Sequence, residues 1–325
     1  MVNNFTYSID RALMERAFRK IYDIIPPKPA VLLEYVDAET DIYDSKIGGV
    51  PYFPKNMPYP LGIYNVESLD GSTELPMLFV AQLNLDKLPH LEGYPNKDIL
   101  QFYSSGVKER DYDNINIEFD TDTITSNNEF RVIYHDTITY DREQLLSDND
   151  FFPILNWKDF DYSSGILVPK SLIVEDTRTI REWYRSRLTW FVDKPYLLKS
   201  KGVRNMYPTI DDYRFEPLFL KFYYAEKDYP LKTVEEIRYA ICDESREINE
   251  YGDAYFLGDP YFVNSDPRNN KSYRSYDTLL FEILESGKRE IGVEVGPSGT
   301  LSFLIPKNKL EERSFFDIMM YGDSL

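Results

Sequence analysis

The chain has one cysteine and two histidines among its 325 residues. Cys242 cannot form an intramolecular disulfide, which favours a reducing compartment. His90 and His135 are far apart, and neither has the neighbouring His or Cys of a zinc motif. Nucleophile-elbow, Walker-loop and Rossmann-loop motifs are also missing from the sequence. The sequence therefore predicts no catalytic residue, no metal site and no cofactor, and it favours a protein that is not an enzyme.

Long apolar runs and basic charge are also scarce. No run approaches the roughly 20 apolar residues that a membrane-spanning helix requires, and the first residues do not have the pattern of a signal peptide. We therefore expect a cytoplasmic protein without a membrane partner. The 37 basic residues are outnumbered by 55 acidic ones, which gives a net charge of −18. Because nucleic acids bind clustered Lys and Arg, we expect no nucleic-acid partner. The acidic charge favours a basic protein as the partner, or it serves solubility alone.

A repeated segment is the most informative feature that the sequence does contain. Gly49-Val50-Pro51-Tyr52-Phe53 returns, with one change, as Gly258-Asp259-Pro260-Tyr261-Phe262. Two phenylalanines follow each copy, 23 positions apart in the first and 22 in the second: Phe79 and Phe102, then Phe281 and Phe303. Three elements in one order predict an internal duplication. The alternative is that Gly-Pro turns simply recur before half-buried strands.

Hydrophobic periodicity predicts an α+β fold of mostly antiparallel sheets with flanking helices. We expect a single domain over 1–325, in which two related halves at about 28–140 and 215–325 pack as one compact unit. A mixed segment at 141–214 connects the halves. Helices are predicted at 9–25, 179–192, 234–249 and 314–320, and strands at 31–36, 77–83, 99–103, 114–120, 130–134, 217–224, 278–285, 290–295 and 300–305.

Several of these segments together resemble a known family. They are Lys46–Pro54, Leu78–Leu85, Asp98–Tyr103, Phe130–Tyr134, and Leu257–Phe262 followed by Ser265–Arg268. In this order they resemble the bacterial YwqG-like family, with departures at Asp259 and Asn264, where the family pattern has Tyr and Gln. The resemblance covers about residues 45–320 and implies an α+β fold with two related halves. Because the function of that family is unknown, the resemblance implies no reaction.

Five polar residues are candidate ligand contacts. Asp259, Asp266 and Arg268 lie in the second Gly-Pro loop, whereas Gln82 and Gln101 lie on predicted strands of the first half. These side chains could converge on a polar ligand in a cleft between the halves. The favoured interpretation is structural: Asp-Pro-Arg is a turn with an ion pair, and the glutamines satisfy backbone groups in a core.

Two further sets of residues have a functional and a structural interpretation. Glu118, Asp120 and Asp122 share one face of a predicted strand. They could hold a calcium ion, but charges that protect a solvated edge strand are the favoured interpretation. His135, which precedes Asp136, is either a general base oriented by a carboxylate or, as we expect, a surface histidine at a strand end.

Two functions from different classes fit the sequence. The first is an acidic interaction protein that recognises a basic protein partner, for example an immunity protein that masks a toxin, or an adaptor. The alternative is a binder of small polar ligands, or an enzyme, that uses the cleft between the halves. The distribution of the acidic residues discriminates between the two, because a dedicated binding surface requires that they cluster on one face.

Overall fold

The computed structural model describes residues 11–66, 71–105, 125, 128–153, 156–157, 162–163, 165–172, 191–225, 236, 241, 247–296 and 298–324. The helices of this part are α1 (Arg11–Ile24), α2 (Phe215–Ala225) and α3 (Lys307–Glu311). Its strands are β1 (Lys28–Val36), β2 (Lys46–Ile47), β3 (Leu61–Val66), β4 (Gly71–Pro76), β5 (Leu78–Asn84), β6 (Ile99–Ser104), β7 (Phe130–His135), β8 (Phe151–Pro153), β9 (Asn156–Trp157), β10 (Tyr162–Ser163), β11 (Leu167–Pro169), β12 (Phe191–Val192), β13 (Tyr196–Met206), β14 (Ala254–Leu257), β15 (Thr278–Leu284), β16 (Val293–Glu294), β17 (Thr300–Ile305) and β18 (Met319–Asp323).

Ten of these strands form one sheet, in the order β18-β17-β15-β14-β1-β13-β2-β5-β6-β7. Every neighbouring pair in it is antiparallel. We call β2, β5, β6 and β7 the first wing, and β14, β15, β17 and β18 the second wing. The long pair β1 and β13 joins the wings. The predicted connecting segment therefore supplies a central strand, β13.

The sheet curls until it is nearly closed, so that the two wings face each other. The ring of Phe102 in the first wing lies 4.8 Å from the ring of Phe281 and 4.8 Å from that of Phe303 in the second wing. A gap between the wings, lined by residues such as Val80 and Ile283, is too narrow to hold a water molecule. Burial of these apolar surfaces is the main force that holds the wings together.

Both wings contain a bulge at the same point of their central strand pair. The extra residue is Val80 in β5 and Leu280 in β15. The register that follows makes Ala81 the counterpart of Phe281. The spacing of the phenylalanines in the sequence had instead aligned Phe79 with Phe281, so the structural alignment differs by two residues.

One predicted strand is a helix. Residues 217–224 lie in α2, whose buried side chains are Phe215, Phe219 and Tyr223. A spacing of four residues places these rings on one face of a helix, and Phe215 packs 5.4 Å from Phe18 of α1. The strand prediction was wrong because it relied on the β propensity of aromatic residues, which this packing overrides.

In the carboxyl-terminal segment, a predicted helix is instead partly a strand. The helix predicted at 314–320 is wrong, since β18 begins at Met319 and pairs with β17 from Leu304↔Met319 to Thr300↔Asp323. Predictions for α1, β5, β6, β7, β15 and β17 are confirmed within two residues. The prediction for β1 is confirmed at its end, but the strand begins three residues earlier, at Lys28. None of the described helices is long and apolar enough to cross a bilayer.

Some predictions lie outside the described residues. They are residues 179–190 of the helix predicted at 179–192, most of the helix at 234–249 with Cys242, and the strand at 114–120 with the carboxylates Glu118, Asp120 and Asp122. The last two residues of the first of these helix predictions, Phe191 and Val192, form strand β12, so the prediction is wrong there.

Candidate functional site

Gln82 and Gln101 form a buried pair that holds the first Gly-Pro loop. Gln82 Nε2 donates to the carbonyl oxygens of Ile42 and Asp44, both at 2.8 Å. Gln82 Oε1 accepts from the Tyr52 amide at 3.0 Å and from Gln101 Nε2 at 3.1 Å, and Gln101 Nε2 also donates to the Tyr52 carbonyl at 2.6 Å. Both amide groups of the pair are thus used by the protein itself, as the structural interpretation expected.

The same network extends to His135. Its Nε2 lies 2.7 Å from Gln101 Oε1, which also accepts from the Tyr103 hydroxyl at 2.9 Å. The expectation of a surface histidine is wrong, because the side chain is buried under the Tyr52 ring at 5.0 Å. Burial lowers the pKa of His135 to about 4, although Asp136 acts in the opposite direction. His135 is therefore neutral near pH 7, and an amide rather than a carboxylate orients it.

The two repeated loops are anchored alike. The Tyr52 amide donates to Gln82 in the first wing, and the Tyr261 amide donates to Glu282 Oε2 at 3.0 Å in the second. Gln82 and Glu282 occupy the same register position, one residue after the counterparts Ala81 and Phe281. The repeated Gly-x-Pro-Tyr sequence therefore positions a backbone amide over the sheet in each wing.

The charged candidates of the second loop come together in one buried cluster. Arg268 is 1% exposed and donates to Asp266 from Nε at 2.9 Å and from Nη2 at 2.8 Å. Arg214 donates to Asp212 in the same way, at 2.9 and 2.6 Å. In each pair the Asp also accepts, at 2.8 Å, the backbone N–H of the Arg two residues later.

The two pairs are adjacent, since Arg268 Nη2 lies 3.6 Å from Asp212 Oδ2. Sequence reasoning missed Asp212 and Arg214. The signal that could have found them is the Asp-x-Arg spacing of Asp266 and Arg268, which recurs at 212–214.

Asp259 lies at the edge of this cluster with one carboxylate oxygen unpartnered. Its Oδ1 lies 3.3 Å from Lys28 Nζ and 3.4 Å from Arg214 Nη2, whereas its buried Oδ2 has no hydrogen-bond partner. Burial raises the pKa of Asp259. Leu257, two residues before Asp259, has a backbone φ of 64°, which is unusual for a residue with a side chain. The first loop has Val50 at the corresponding position, so the loop itself does not require a carboxylate there.

The structure thus divides the five predicted ligand residues into two groups. Asp259, Asp266 and Arg268 belong to the charged cluster, and Gln82 and Gln101 belong to the network under the first loop. Among the described contacts, no hydrogen bond or ion pair joins the two groups.

A further group of acidic side chains lies beside the first loop. Segments 37–46 and 136–150, which we call the acidic face, carry nine carboxylates and two basic groups, a net charge of −7. The two segments contact each other, because the Tyr43 hydroxyl donates to the Thr139 carbonyl at 3.1 Å and Arg142 forms an ion pair with Asp41. The first loop anchors the second segment, since the Thr139 amide donates to the Tyr52 hydroxyl at 3.0 Å.

Buried side chains fix the backbone of the acidic face. The carbonyl oxygens of residues 41–44 are all held from inside: Lys46 Nζ binds that of 41 at 2.8 Å, Gln82 those of 42 and 44, and Asn84 Nδ2 that of 43 at 2.7 Å. Burial lowers the pKa of Lys46 to about 8, against the effect of nearby Asp44 and Asp41. The loop is therefore rigid, and its carboxylates lie at the surface.

An aromatic ladder runs through the acidic face to the surface. Ring centroids are 5.0 Å apart between His135 and Tyr52, 5.7 Å between Tyr52 and Tyr43, and 5.1 Å between Tyr43 and Tyr140. The last ring of the ladder, Tyr140, is 74% exposed. Such contacts between rings are favourable, so Tyr140 is an exposed aromatic residue with one ring neighbour, Tyr43.

Comparisons with known proteins give a family but no activity. Within the described residues, no group of three or more His, Cys, Asp and Glu side chains is arranged to hold a metal ion. A comparison with curated proteins finds no match to the chain. A family model described as a domain of unknown function, DUF1963, matches residues 45–323, which include both repeated loops and both wings. The chain therefore belongs to the DUF1963 family.

Proposed function

We propose that the protein is a cytoplasmic interaction protein that recognises a basic protein partner through the acidic face. Tyr140 carries the proposal, because a 74% exposed tyrosine that packs on Tyr43 lies among carboxylates whose segments have a net charge of −7. Tyrosine is one of the residues that dominate binding energy at protein interfaces. An immunity protein or an adaptor would use such a surface.

Charge and rigidity support the proposal in different ways. Clustered carboxylates speed the encounter with a basic surface, an effect that salt screens. The captured carbonyl oxygens of residues 41–44 hold the loop in one conformation before binding. A preorganised surface has less conformational entropy to lose on association.

A pair of charge variants tests whether the acidic face is the binding surface. Asp136→Asn, Glu143→Gln and Asp148→Asn together neutralise exposed carboxylates of this face, and Glu290→Gln, Glu294→Gln and Glu311→Gln neutralise equally many elsewhere. Binding of a synthetic peptide rich in Lys and Arg is measured by calorimetry at several salt concentrations. The first variant should weaken binding several-fold and reduce its salt dependence. Equal weakening by both variants would show attraction by net charge alone and would contradict the proposal.

Substitution of Tyr140 tests the hot spot. Tyr140→Ala should reduce peptide affinity about tenfold, the usual scale for such a residue. Phe316, which is 72% exposed outside the acidic face, provides the matched control, and Phe316→Ala should leave the affinity unchanged. Equal effects of the two substitutions would exclude a special role for Tyr140.

One observation favours the second candidate, a binder of small polar ligands. Asp259 has an unpartnered Oδ2, and its other oxygen, Oδ1, lies near Lys28 and Arg214, whose side chains are 30% and 27% exposed. A ligand that donates a hydrogen bond would satisfy this oxygen. Ligand-observed NMR with small polyols tests the idea, with Asp259→Val as the control, since Val50 occupies the corresponding position. Failure of the native chain to bind any polyol, or equal binding by the variant, would exclude a polyol site at Asp259.

We also propose that the two wings descend from a duplicated unit and that the family is the YwqG-like one that the sequence resembles. The matching bulges and the matching anchors of Tyr52 and Tyr261 support the duplication. If Gln82 and Glu282 are equivalent, Glu282→Gln should be tolerated, whereas Glu282→Leu should destabilise the protein. Thermal unfolding measures the stability of the two variants. Equal destabilisation by Glu282→Gln and Glu282→Leu would argue against the equivalence of Gln82 and Glu282.

A further inference from the structure

The acidic face contains a subsite that already holds a guanidinium group. The Arg142 Cζ atom lies 5.6 Å from the centroid of the Tyr43 ring, and Arg142 Nη2 bonds to Asp41 Oδ2. Tyr140 lies beside Tyr43 and extends the aromatic surface. A guanidinium stacked on an aromatic ring and bonded to a carboxylate is the arrangement in which proteins bind arginine side chains.

Each wall of this subsite is held independently of Arg142. The Tyr43 backbone amide donates to Asp41 Oδ1 at 3.0 Å, its carbonyl accepts from Asn84, and its hydroxyl donates to Thr139 at 3.1 Å. The Asp41 carbonyl accepts from Lys46. Removal of the Arg142 side chain would therefore leave the ring and the carboxylate in place.

Arg142 itself is weakly held. Its side chain is 63% exposed and that of Asp41 is 42% exposed, and an ion pair so open to water contributes little to stability. Another guanidinium can therefore exchange with it at small cost.

We propose that this subsite binds an arginine side chain of the basic partner, and that Arg142 occupies the position of the partner's guanidinium in the free protein. This inference rests on the proposed function of the acidic face. Arginine is preferred to lysine because only the planar guanidinium can stack on Tyr43 while it makes directed bonds to Asp41.

The test uses two peptides of equal length and charge, one with arginines and the other with lysines in the same positions. Arg142→Gln removes the internal competitor and should strengthen binding of the arginine peptide several-fold more than that of the lysine peptide. Lys87→Gln is the matched control, because Lys87 is 55% exposed and pairs with Asp44 of the same face at 2.8 Å. It should strengthen binding of both peptides equally.

Substitutions of Tyr43 complete the test. Tyr43→Phe keeps the ring and should keep the preference for arginine, whereas Tyr43→Leu should abolish it, with folding of both variants checked by circular dichroism. If Arg142→Gln and Lys87→Gln change the affinities for the two peptides alike, the Arg142–Asp41 ion pair only links the two segments of the acidic face, and the subsite is excluded. If neither peptide binds the native chain or the variants, the proposed function of the whole face fails as well.

Discussion

Glu282 and Gln82 occupy corresponding positions, yet one is ionisable and the other is not. Glu282 is fully buried and accepts from the Ser302 hydroxyl at 2.6 Å and from the Tyr261 amide at 3.0 Å. Burial raises the pKa of Glu282 to about 7, although these hydrogen bonds lower it. The second wing therefore contains a carboxyl group that titrates near neutral pH, where the first wing contains a neutral amide.

We predict that Glu282 makes the protein less stable as the pH rises. Its pKa is raised from 4.5 to about 7 on folding, so the folded state holds the proton more tightly. The stabilisation is complete below pH 4.5 and is lost as the pH rises to 7, a change of about 3 kcal/mol in the free energy of unfolding. Glu282→Gln should remove this loss, as measured by urea unfolding between pH 4 and 8. The exposed Glu290→Gln is the control, and an unchanged pH profile in Glu282→Gln would contradict the assignment.

His135 should have the opposite effect on stability. Its pKa falls from 6.5 to about 4 on folding, so the unfolded chain binds the proton more tightly. Stability is then lost as the pH falls from 6.5 to 4, again by about 3 kcal/mol. The contributions of Glu282 and His135 cancel between about pH 4.5 and 6.5. Acid-induced unfolding should therefore become steeper in Glu282→Gln and shallower in His135→Gln, and unfolding titrations of both variants would show whether these groups are responsible.

At the scale of elements, β13 is a central strand with a partly free edge. It pairs with β1 from Leu197 to Met206, but with β2 only at Tyr196 and Leu197. The edge beyond Leu198 has no strand partner within the described part of the chain. Lys199 and Lys201 are exposed there, and a register shift occurs where β13 passes Leu32 and Leu33. Lysines and bulges are devices that prevent unwanted pairing of a strand edge.

We predict that Lys199→Thr with Lys201→Val causes self-association. The substitutions remove the charges and raise the β propensity of the edge. Light scattering during size-exclusion chromatography should show a concentration-dependent increase in mass relative to the unsubstituted chain. Lys271→Thr with Lys307→Val, at exposed positions outside strands, is the control. An unchanged mass in the β13 variant would show that another feature protects the edge.

For the whole molecule, contact between the wings predicts that they unfold together. Phe102 is fully buried against Phe281 and Phe303, so Phe102→Ala should lower the free energy of unfolding by about 3–5 kcal/mol. Unfolding should remain one transition by fluorescence and circular dichroism. Phe316→Ala, at a 72% exposed position, should change it by less than about 0.5 kcal/mol. Two separate transitions would mean that the wings are independent units.

Local patterns predicted most strands of the sheet but not how they meet. The alternation and apolar runs of β5, β6, β15 and β17 were sufficient to predict these strands, because residues buried in a sheet form short apolar patterns in the sequence. The α2 segment was assigned to a strand because its aromatic residues have β propensity. It forms a helix because the rings on one of its faces pack against Phe18 of α1, a contact that the sequence does not indicate.

The candidate sites show the same limit. Asp266 and Arg268 pair over two residues and were visible in the sequence, whereas the two carbonyl groups to which Gln82 donates are about forty positions earlier in the chain. The acidic face joins two segments about a hundred residues apart. No periodicity indicates that they meet, because the contact depends on the path of the first loop between them.

The sequence by itself determined most strands of the sheet, the acidic charge, the repeated loop and the scarcity of catalytic residue types, because these follow from composition and local order. Only the tertiary structure decided which polar groups form hydrogen bonds within the protein and which are exposed to solvent. Gln82, Gln101 and His135 are satisfied inside by backbone and amide partners, while the side chains of Tyr140 and Glu143 are exposed at the surface. Burial and hydrogen-bond saturation depend on long-range packing, which the chain acquires when the sheet curls and brings its wings together.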